Sequence, residues 1–171
     1  MMNVTENNKM RMLSIVSIIL ALVSPLPAAS IQNPVNRESL RGIRNLRVFV
    51  ADIDAEIEQA GLTKSQLQID VELMLRKAGI PVITSSEGND PYLYVDLNVH
   101  NAKDTLYFYS LNVSLEQMVK PKRNPSLELY APTWQSSETG AGGRNKPNSI
   151  RDSVDDQVDK FINDYLTVNP K

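Results

Sequence analysis

Two long segments in which apolar and polar residues alternate constrain the fold more than any other feature. The first covers residues 92–100, the second covers residues 106–119, and a short polar link lies between them. Alternation with a period of two predicts β-strands, and the short link predicts an antiparallel hairpin. The side chains predicted to share its apolar face are Leu93, Val95, Leu97, Val99, Tyr107, Tyr109, Leu111, Val113 and Leu115. Because the opposite face is mostly polar, the hairpin belongs to an antiparallel sheet that is covered on one side only.

A helix is predicted between Thr63 and Gly79. Thr63 and Gln66 have the spacing of a capping box, in which the threonine oxygen accepts a hydrogen bond from the third helical residue. The apolar residues that follow at helical spacing are Leu67, Val71, Met74, Leu75 and Ala78. Gly79 suits the left-handed position after a helix, and Pro81 cannot continue one. We therefore expect a helix over residues 64–78.

A second helix is predicted near the C-terminus. Ser149 and Asp152 have capping-box spacing, which places the N-cap at Ser149. The apolar stripe consists of Ile150, Val154, Val158, Phe161, Ile162 and Tyr165. A stripe of this kind packs on a core, so we expect this helix to close the apolar face of the sheet.

Shorter apolar runs predict three further strands, at residues 46–53, 80–84 and 126–134. Pro132 has no N–H to donate to a neighbouring strand, so the last of these strands should end there or lie at a sheet edge. Residues 135–148 are rich in serine and glycine and are predicted to form a flexible loop.

In chain order these elements are β-α-β-β-β-β-α. The order predicts an α+β fold, a two-layer sandwich in which a mixed, mostly antiparallel sheet of about five strands carries two helices on one face. Residues 46–171 are assigned to this single domain, and residues 31–45 are assigned to a polar leader that contributes nothing to the core. The sequence leaves the order of the strands open.

The first thirty residues have the pattern of a secretory signal peptide. Lys9 and Arg11 form a basic start, and residues 12–23 form an apolar run that is too short to span a bilayer. We expect cleavage near Ala29 or Ser30 and a bacterial periplasmic or secreted protein with no stable membrane anchor afterwards. An uncleaved N-terminal anchor is the alternative.

Composition restricts the available chemistry. The chain has no cysteine, one histidine and a formal net charge of −2. The lack of cysteine excludes a thiol enzyme, a disulfide scaffold and a cysteine-ligated zinc site. The charge argues against a protein that coats nucleic acid. Because no catalytic or phosphate-binding motif is present either, we assign no catalytic residue, metal or cofactor.

An unrecognised hydrolase stays open as an alternative. It would use Asp52, Asp54 or His100. The two aspartates belong to an acidic stretch with Glu56 and Glu58. The acidic stretch lacks the glycine and the spacing of a calcium loop. We interpret it as a solvated connection between a strand and a helix, and we interpret His100 as a surface residue.

Tyr92, Tyr94 and Phe108 are the strongest functional candidates. They project from the predicted polar face of the hairpin, and exposed rings beside polar groups are typical of interaction surfaces. We predict that these residues form a partner surface. The alternatives are a loop that folds over them and an inverted assignment of the two faces near the strand ends.

A glycine-rich stretch suggests a different function. Gly142, Gly143, Arg144 and Lys146 precede the last predicted helix, where free backbone N–H groups and two cations could hold an anion. Asp152 in the first turn of that helix would oppose an anion. Binding of a small ligand or anion is therefore an alternative function.

Several segments resemble a recurring group of small, uncharacterised secreted bacterial proteins. They are Gly61–Ile80, Pro91–Val95, Ala131–Gly143 and Ile150–Lys171. This resemblance implies secretion but no activity. The order of elements is similar, more distantly, to the N-terminal domain of the periplasmic translocation protein TolB and related envelope-assembly domains. That similarity implies an envelope partner and supplies no catalytic residue.

Together these features predict a non-catalytic binding or adaptor domain for an envelope protein, with no nucleic acid as partner. Edge strands can pair between copies of a chain, so a homodimer stays open.

Overall fold

The computed structural model describes residues 34–84, 89–102, 106–143 and 147–170. Within these ranges the sheet has four strands in the order β1-β2-β3-β4. The strands are β1 (Arg47–Val50), β2 (Tyr92–Ala102), β3 (Leu106–Val119) and β4 (Leu129–Gly143). β1 pairs with β2 in parallel, and the other two pairs are antiparallel. The helices are α1 (Pro34–Glu38), α2 (Ala55–Gln59), α3 (Lys64–Lys77) and α4 (Pro147–Val168). This arrangement confirms the predicted α+β class with a mixed, mostly antiparallel sheet and helices packed against it.

The predicted hairpin is confirmed. β2 and β3 pair from Tyr92 opposite Glu116 to Ala102 opposite Leu106 without interruption. The nine side chains predicted to share one face are all buried, because α3 and α4 cover that face. The other face of the sheet carries the alternate residues. None of the described helices covers it, and we call it the open face.

The helix α3 begins and ends as the sequence predicts. The Thr63 side chain accepts a hydrogen bond from the backbone N–H of Gln66 at 3.2 Å. After the helix, Gly79 adopts a positive φ of 82°. The N–H of Gly79 bonds to the carbonyl of Arg76, and that of Ile80 bonds to the carbonyl of Leu75. This pair of bonds is a Schellman motif, which needs a left-handed residue and thus favours glycine.

The helix α4 begins earlier than the sequence predicts. It starts at Pro147, so Ser149 lies inside the helix and the predicted cap at Ser149 is wrong. Proline suits the first helical position because its missing N–H would be unpaired there. The predicted apolar stripe is confirmed, since all six of its side chains are buried.

The predicted loop at residues 135–148 is wrong over most of its length. β4 continues to Gly143 and pairs with β3 throughout, with Gly143 opposite Leu106. Pro132 lies within this strand, at the edge of the sheet. In the register, Leu115 of β3 pairs with Trp134 and the next residue, Glu116, pairs with Pro132. Thr133 lies between these two partners and has no register partner of its own, so it forms a β-bulge. A bulge at an edge strand tolerates the proline that an interior strand would not.

The predicted strand at residues 80–84 reduces to a single bridge between Leu46 and Val82. Leu46 donates its N–H to the carbonyl of Pro81 at 3.2 Å and accepts from the N–H of Ile83 at 3.0 Å. Leu46 uses the edge of β1 opposite to β2, since Arg47 donates its N–H toward the β2 side, to Pro91. The sheet therefore has four strands with a rudimentary fifth beside β1.

The polar leader contributes to the core, contrary to the prediction. Leu40 is fully buried, and α1 precedes it. At the other end of this segment, the Tyr165 hydroxyl donates to the carbonyl of Ile43 at 2.6 Å. The predicted signal peptide lies outside the described residues. Among the described helices, none has the length and apolar character that a membrane span requires.

Candidate binding surface on the open face of the sheet

Four aromatic side chains gather on the open face of the sheet. Alternation in β1 turns Val48 and Val50 into the core and Phe49 outward. The same alternation in β2 turns Tyr92 and Tyr94 outward, and Tyr94 lies opposite Phe49 in the parallel register. Tyr130 from β4 completes the group. We call Phe49, Tyr92, Tyr94 and Tyr130 the aromatic cluster.

Tyr92 is the centre of the aromatic cluster because its ring contacts the other three. Its centroid lies 5.2 Å from that of Phe49 and 6.5 Å from that of Tyr94, both in edge-to-face geometry. The ring of Tyr130 lies 5.3 Å away in a tilted orientation. These separations fall in the range in which aromatic pairs attract beyond the effect of buried area.

The bulge in β4 is what brings Tyr130 to the open face. Tyr130 and Trp134 are four residues apart, so a regular strand would place both on the same face. Thr133 is inserted between them, and the insertion reverses the alternation. Trp134 is buried in the core, and Tyr130 can therefore reach Tyr92 on the other side of the sheet.

Arg47 stacks against the aromatic cluster. Its Cζ atom lies 5.1 Å from the centroid of Phe49 and 5.6 Å from that of Tyr92. Both distances are within reach of a cation–π interaction. Its Nε atom is buried and has no hydrogen-bond partner, and Nη2 donates to the carbonyl of Asp90 at 3.4 Å. Among the described residues, the cation thus contacts rings and no carboxylate.

An open pocket of about 470 Å³ lies beside Arg47 and the rings of Phe49, Tyr92 and Tyr94. At its rim, Lys64 Nζ and Asp52 Oδ1 form an ion pair of 2.7 Å. A hydrogen bond from Lys64 lowers the pKa of Asp52 below its ordinary value. Burial, reinforced by the charge of Glu116, raises the pKa of the Tyr92 hydroxyl. At neutral pH the Tyr92 hydroxyl is therefore protonated. Among the described residues that line the pocket, Lys64 and Asp52 pair with each other, and Arg47 has no carboxylate partner.

The structure brings together two of the three predicted surface residues and separates the third. Phe108 is 52% exposed on the open face, but it pairs with His100, whereas Tyr94 pairs with Ser114. Six residues along a strand correspond to about 20 Å. Phe108 and His100 line a separate shallow pocket with Ala141.

The predicted anion site does not have the predicted loop geometry. Gly142 and Gly143 are strand residues of β4, paired with Tyr107 and Leu106. Arg144 and Lys146 lie outside the described residues. Gly140, in the same stretch, packs against Tyr109 so closely that a Cβ there would overlap the ring. At Gly140 the glycine is therefore a packing requirement, and anion binding at residues 142–146 stays a prediction.

The acidic stretch after β1 has local structural roles. The Asp54 side chain accepts from the N–H of Glu56 at 2.8 Å and thereby caps α2. Glu58 Oε1 accepts from the backbone N–H of Lys64 at 3.3 Å. Among the described residues, no group of three or more histidine or acidic side chains is arranged to hold a metal ion.

Arg47, Phe49 and Tyr130 are the surface residues that sequence reasoning missed. The signal for Phe49 and Arg47 was present, because the inward alternation of Leu46, Val48 and Val50 leaves both facing outward. For Tyr130 no such signal exists, since its orientation depends on the bulge at Thr133.

No protein-family model and no curated protein matches the chain. Among solved structures, a minor lipoprotein from Acinetobacter baumannii is similar at 13% identity with a TM-score of 0.38, over 74% of this chain and 93% of that chain. The rare lipoprotein B from Shewanella oneidensis is similar at 12% identity with a TM-score of 0.37, over 73% and 96%. The resemblances to TolB and to secreted bacterial proteins stay predictions.

Proposed function

We propose that the protein is a non-catalytic binding or adaptor domain of the bacterial periplasm or exterior, and that it binds an envelope protein through the aromatic cluster. The observation that carries this proposal is the position of the four rings on the open face of the sheet, together with Arg47. Tyrosine and arginine are enriched among the residues that dominate binding energy at protein interfaces.

The aromatic cluster has features that a partner can use. Phe49 is 44% exposed although it stacks on Tyr92 and Arg47. Rings held by their neighbours lose little conformational entropy when a partner covers them. Tyrosine also offers a hydroxyl at the edge of an apolar ring. A partner could therefore gain apolar burial and hydrogen bonds from the same residues.

Mutual stacking of the rings could instead serve only to stabilise the sheet, since cross-strand aromatic pairs are worth a fraction of a kcal/mol to about 1 kcal/mol. The two roles differ in their consequences. A purely structural cluster predicts a loss of stability with no change in complexes, and a binding surface predicts the reverse.

The test is cross-linking of a tagged copy in the envelope of the native host, followed by identification of what co-purifies. We expect one reproducible partner, captured by the wild-type protein and lost in the Tyr92→Ser/Tyr94→Ser variant. Phe108→Ser is the matched control, because it removes an exposed ring from the same face about 20 Å away. It should capture the partner normally.

Equal capture by the wild-type protein and the double variant would overturn the proposal. The same holds if no partner appears under conditions that capture known envelope complexes. Thermal unfolding of each variant must accompany the experiment, so that loss of the partner is not confused with loss of the fold.

A further inference from the structure

We propose that the pocket beside the aromatic cluster receives an acidic side chain of the protein partner, and that Arg47 binds its carboxylate. This inference rests on the proposed function, and it adds the chemistry of the group that is recognised. The occupant is an aspartate or glutamate with an apolar neighbour, presented by a protein segment.

Arg47 differs from other arginines of the described chain because it has no carboxylate partner there. Four other arginines each pair with a carboxylate at 2.9 Å or less. They are Arg37, Arg41, Arg76 and Arg151. The residues that the structure describes place no carboxylate within ion-pair distance of Arg47. Arg47 lies at the wall of a pocket, and no carboxylate of the described residues neutralises its charge there.

The surroundings of Arg47 restrict its guanidinium. Nε is sealed from solvent, whereas the guanidinium lies over the rings of Phe49 and Tyr92. Contact with both rings, whose planes lie 83° apart, restricts the movement of the group. Among the described residues, the edge formed by its two terminal nitrogens makes one hydrogen bond, from Nη2 to the backbone carbonyl of Asp90, and this bond is long at 3.4 Å. A planar edge of this kind matches the two oxygens of a carboxylate.

The charged residues that line the pocket favour a ligand with a single negative charge. Lys64 and Asp52 neutralise each other at the rim, so the net charge of the lining comes from Arg47. A single positive charge complements a single carboxylate. A dianionic phosphate would call for more than one free cation, and Lys64 is already paired. Charge complementarity therefore favours a protein side chain over a phosphate group.

Aromatic rings would surround the carboxylate of the partner in this pocket. Tyr92 and Tyr94 line the same pocket as Arg47. Their rings would contact whatever flanks the acidic group and would add apolar contact beside the ion pair. An acidic residue beside an apolar one fits both parts of the pocket.

The experiment is an NMR titration of the purified, nitrogen-15-labelled protein that follows the Nε–H signal of Arg47 and the amide signals of Tyr92 and Tyr94. The probes are two blocked tetrapeptides, Gly-Glu-Phe-Gly and Gly-Gln-Phe-Gly, and inorganic phosphate. We expect the glutamate peptide to shift all three signals at millimolar concentration and to bind at least about tenfold more tightly than the glutamine peptide. High salt should weaken its binding.

Two variants make the result specific. Arg47→Gln should abolish the preference for the glutamate peptide, and Arg47→Lys should restore only part of it, because lysine lacks the planar edge. Arg76→Gln is the matched control, since Arg76 pairs with Glu72 on α3. It should leave binding unchanged. Thermal unfolding shows whether each variant is folded.

Equal shifts from the two peptides would overturn the inference and leave an apolar site. No shift from the glutamate peptide, unchanged binding in Arg47→Gln, or tighter binding of phosphate would also overturn it. Failure here is distinguishable from failure of the proposed function. Suppose that Arg47→Gln captures the partner normally in cross-linking while Tyr92→Ser/Tyr94→Ser does not. That result would support binding through the aromatic cluster and would contradict the carboxylate site at Arg47.

Discussion

Arg37 and Asp164 form an ion pair of 2.7 Å that fastens α1 to α4 across 127 positions of sequence. Asp164 is 5% exposed, and its second oxygen accepts a hydrogen bond from the indole N–H of Trp134 at 3.0 Å. One buried carboxylate thus satisfies a cation from the N-terminal segment and a donor from β4. This relationship explains why residues 34–45 are part of the folded unit although their composition is polar.

Asp164→Ala should destabilise the protein by about 1–3 kcal/mol, because it leaves the buried indole N–H of Trp134 without its acceptor. Loss of the ion pair adds little, because the Arg37 side chain is 38% exposed and its charge stays solvated. Urea unfolding measures the change. Asp159→Ala removes an exposed carboxylate from the same helix and should cost less than about 0.5 kcal/mol. Similar losses in the two variants would show that Asp164 has no special role.

Gly140→Ala should destabilise the protein by about 1–3 kcal/mol, since the added methyl group must displace the Tyr109 ring. Gly143→Ala is the matched control in the same strand, because nothing lies within 4 Å of the position its Cβ would take. It should change stability by less than about 0.5 kcal/mol. Thermal unfolding compares the two. If residues 140–143 formed a loop, both substitutions would be nearly neutral.

The elements that the sequence predicts correctly are those whose apolar residues have one clear period. β2, β3, α3 and α4 each bury a regular set of side chains, so hydrophobicity alone identifies them. The C-terminal half of β4 has no such set. Its inward side chains include Ser136 and Glu138, which hydrogen bond to Gln157 on α4 at 2.6 and 2.7 Å. Because polar side chains that hydrogen bond to α4 take the place of buried apolar ones there, the sequence pattern predicts a loop instead of a strand.

For a similar reason, the sequence predicts the positions of some residues of the candidate site and not of others. Tyr92 and Tyr94 follow from the alternation of β2, and Arg47 and Phe49 follow from that of β1. The position of Tyr130 depends on one inserted residue in β4, and the separation of Phe108 from the other rings depends on the pairing register. Both are tertiary properties that a single strand does not encode.

Asp155→Asn should raise the melting temperature at neutral pH. Asp155 lies in a groove between α3 and α4, and one of its oxygens is buried without a hydrogen-bond partner. Burial raises the pKa of Asp155 above its ordinary value of 3.8; repulsion from Asp70, Asp152 and Asp159 raises it further, and Arg151 opposes them. An acid with a raised pKa in the folded state binds its proton more tightly there than in the unfolded chain. Its ionisation therefore costs stability as the pH rises through the folded-state value.

The asparagine variant has no such ionisation, so its advantage over the wild-type protein should be full at neutral pH and should vanish below about pH 4, where Asp155 is protonated in both states. Melting temperatures of both proteins across this range give the difference directly. Asp156→Asn, at an exposed position on the same helix, is the control and should show a smaller difference. A constant advantage at all pH values would indicate a packing effect instead.

Tyr94→Ser should cost less than about 1 kcal/mol of stability, because Tyr94 lies on the open face and its ring contact in the aromatic cluster is with Tyr92. Tyr107→Ser is the comparison from the covered face of the neighbouring strand. Tyr107 is 2% exposed, so its truncation should leave a cavity and cost about 3–5 kcal/mol. Urea unfolding of both variants separates the two faces of the sheet. A large loss in Tyr94→Ser would mean that the ring is needed for folding, and the surface would then have to be tested through Phe49→Ser instead.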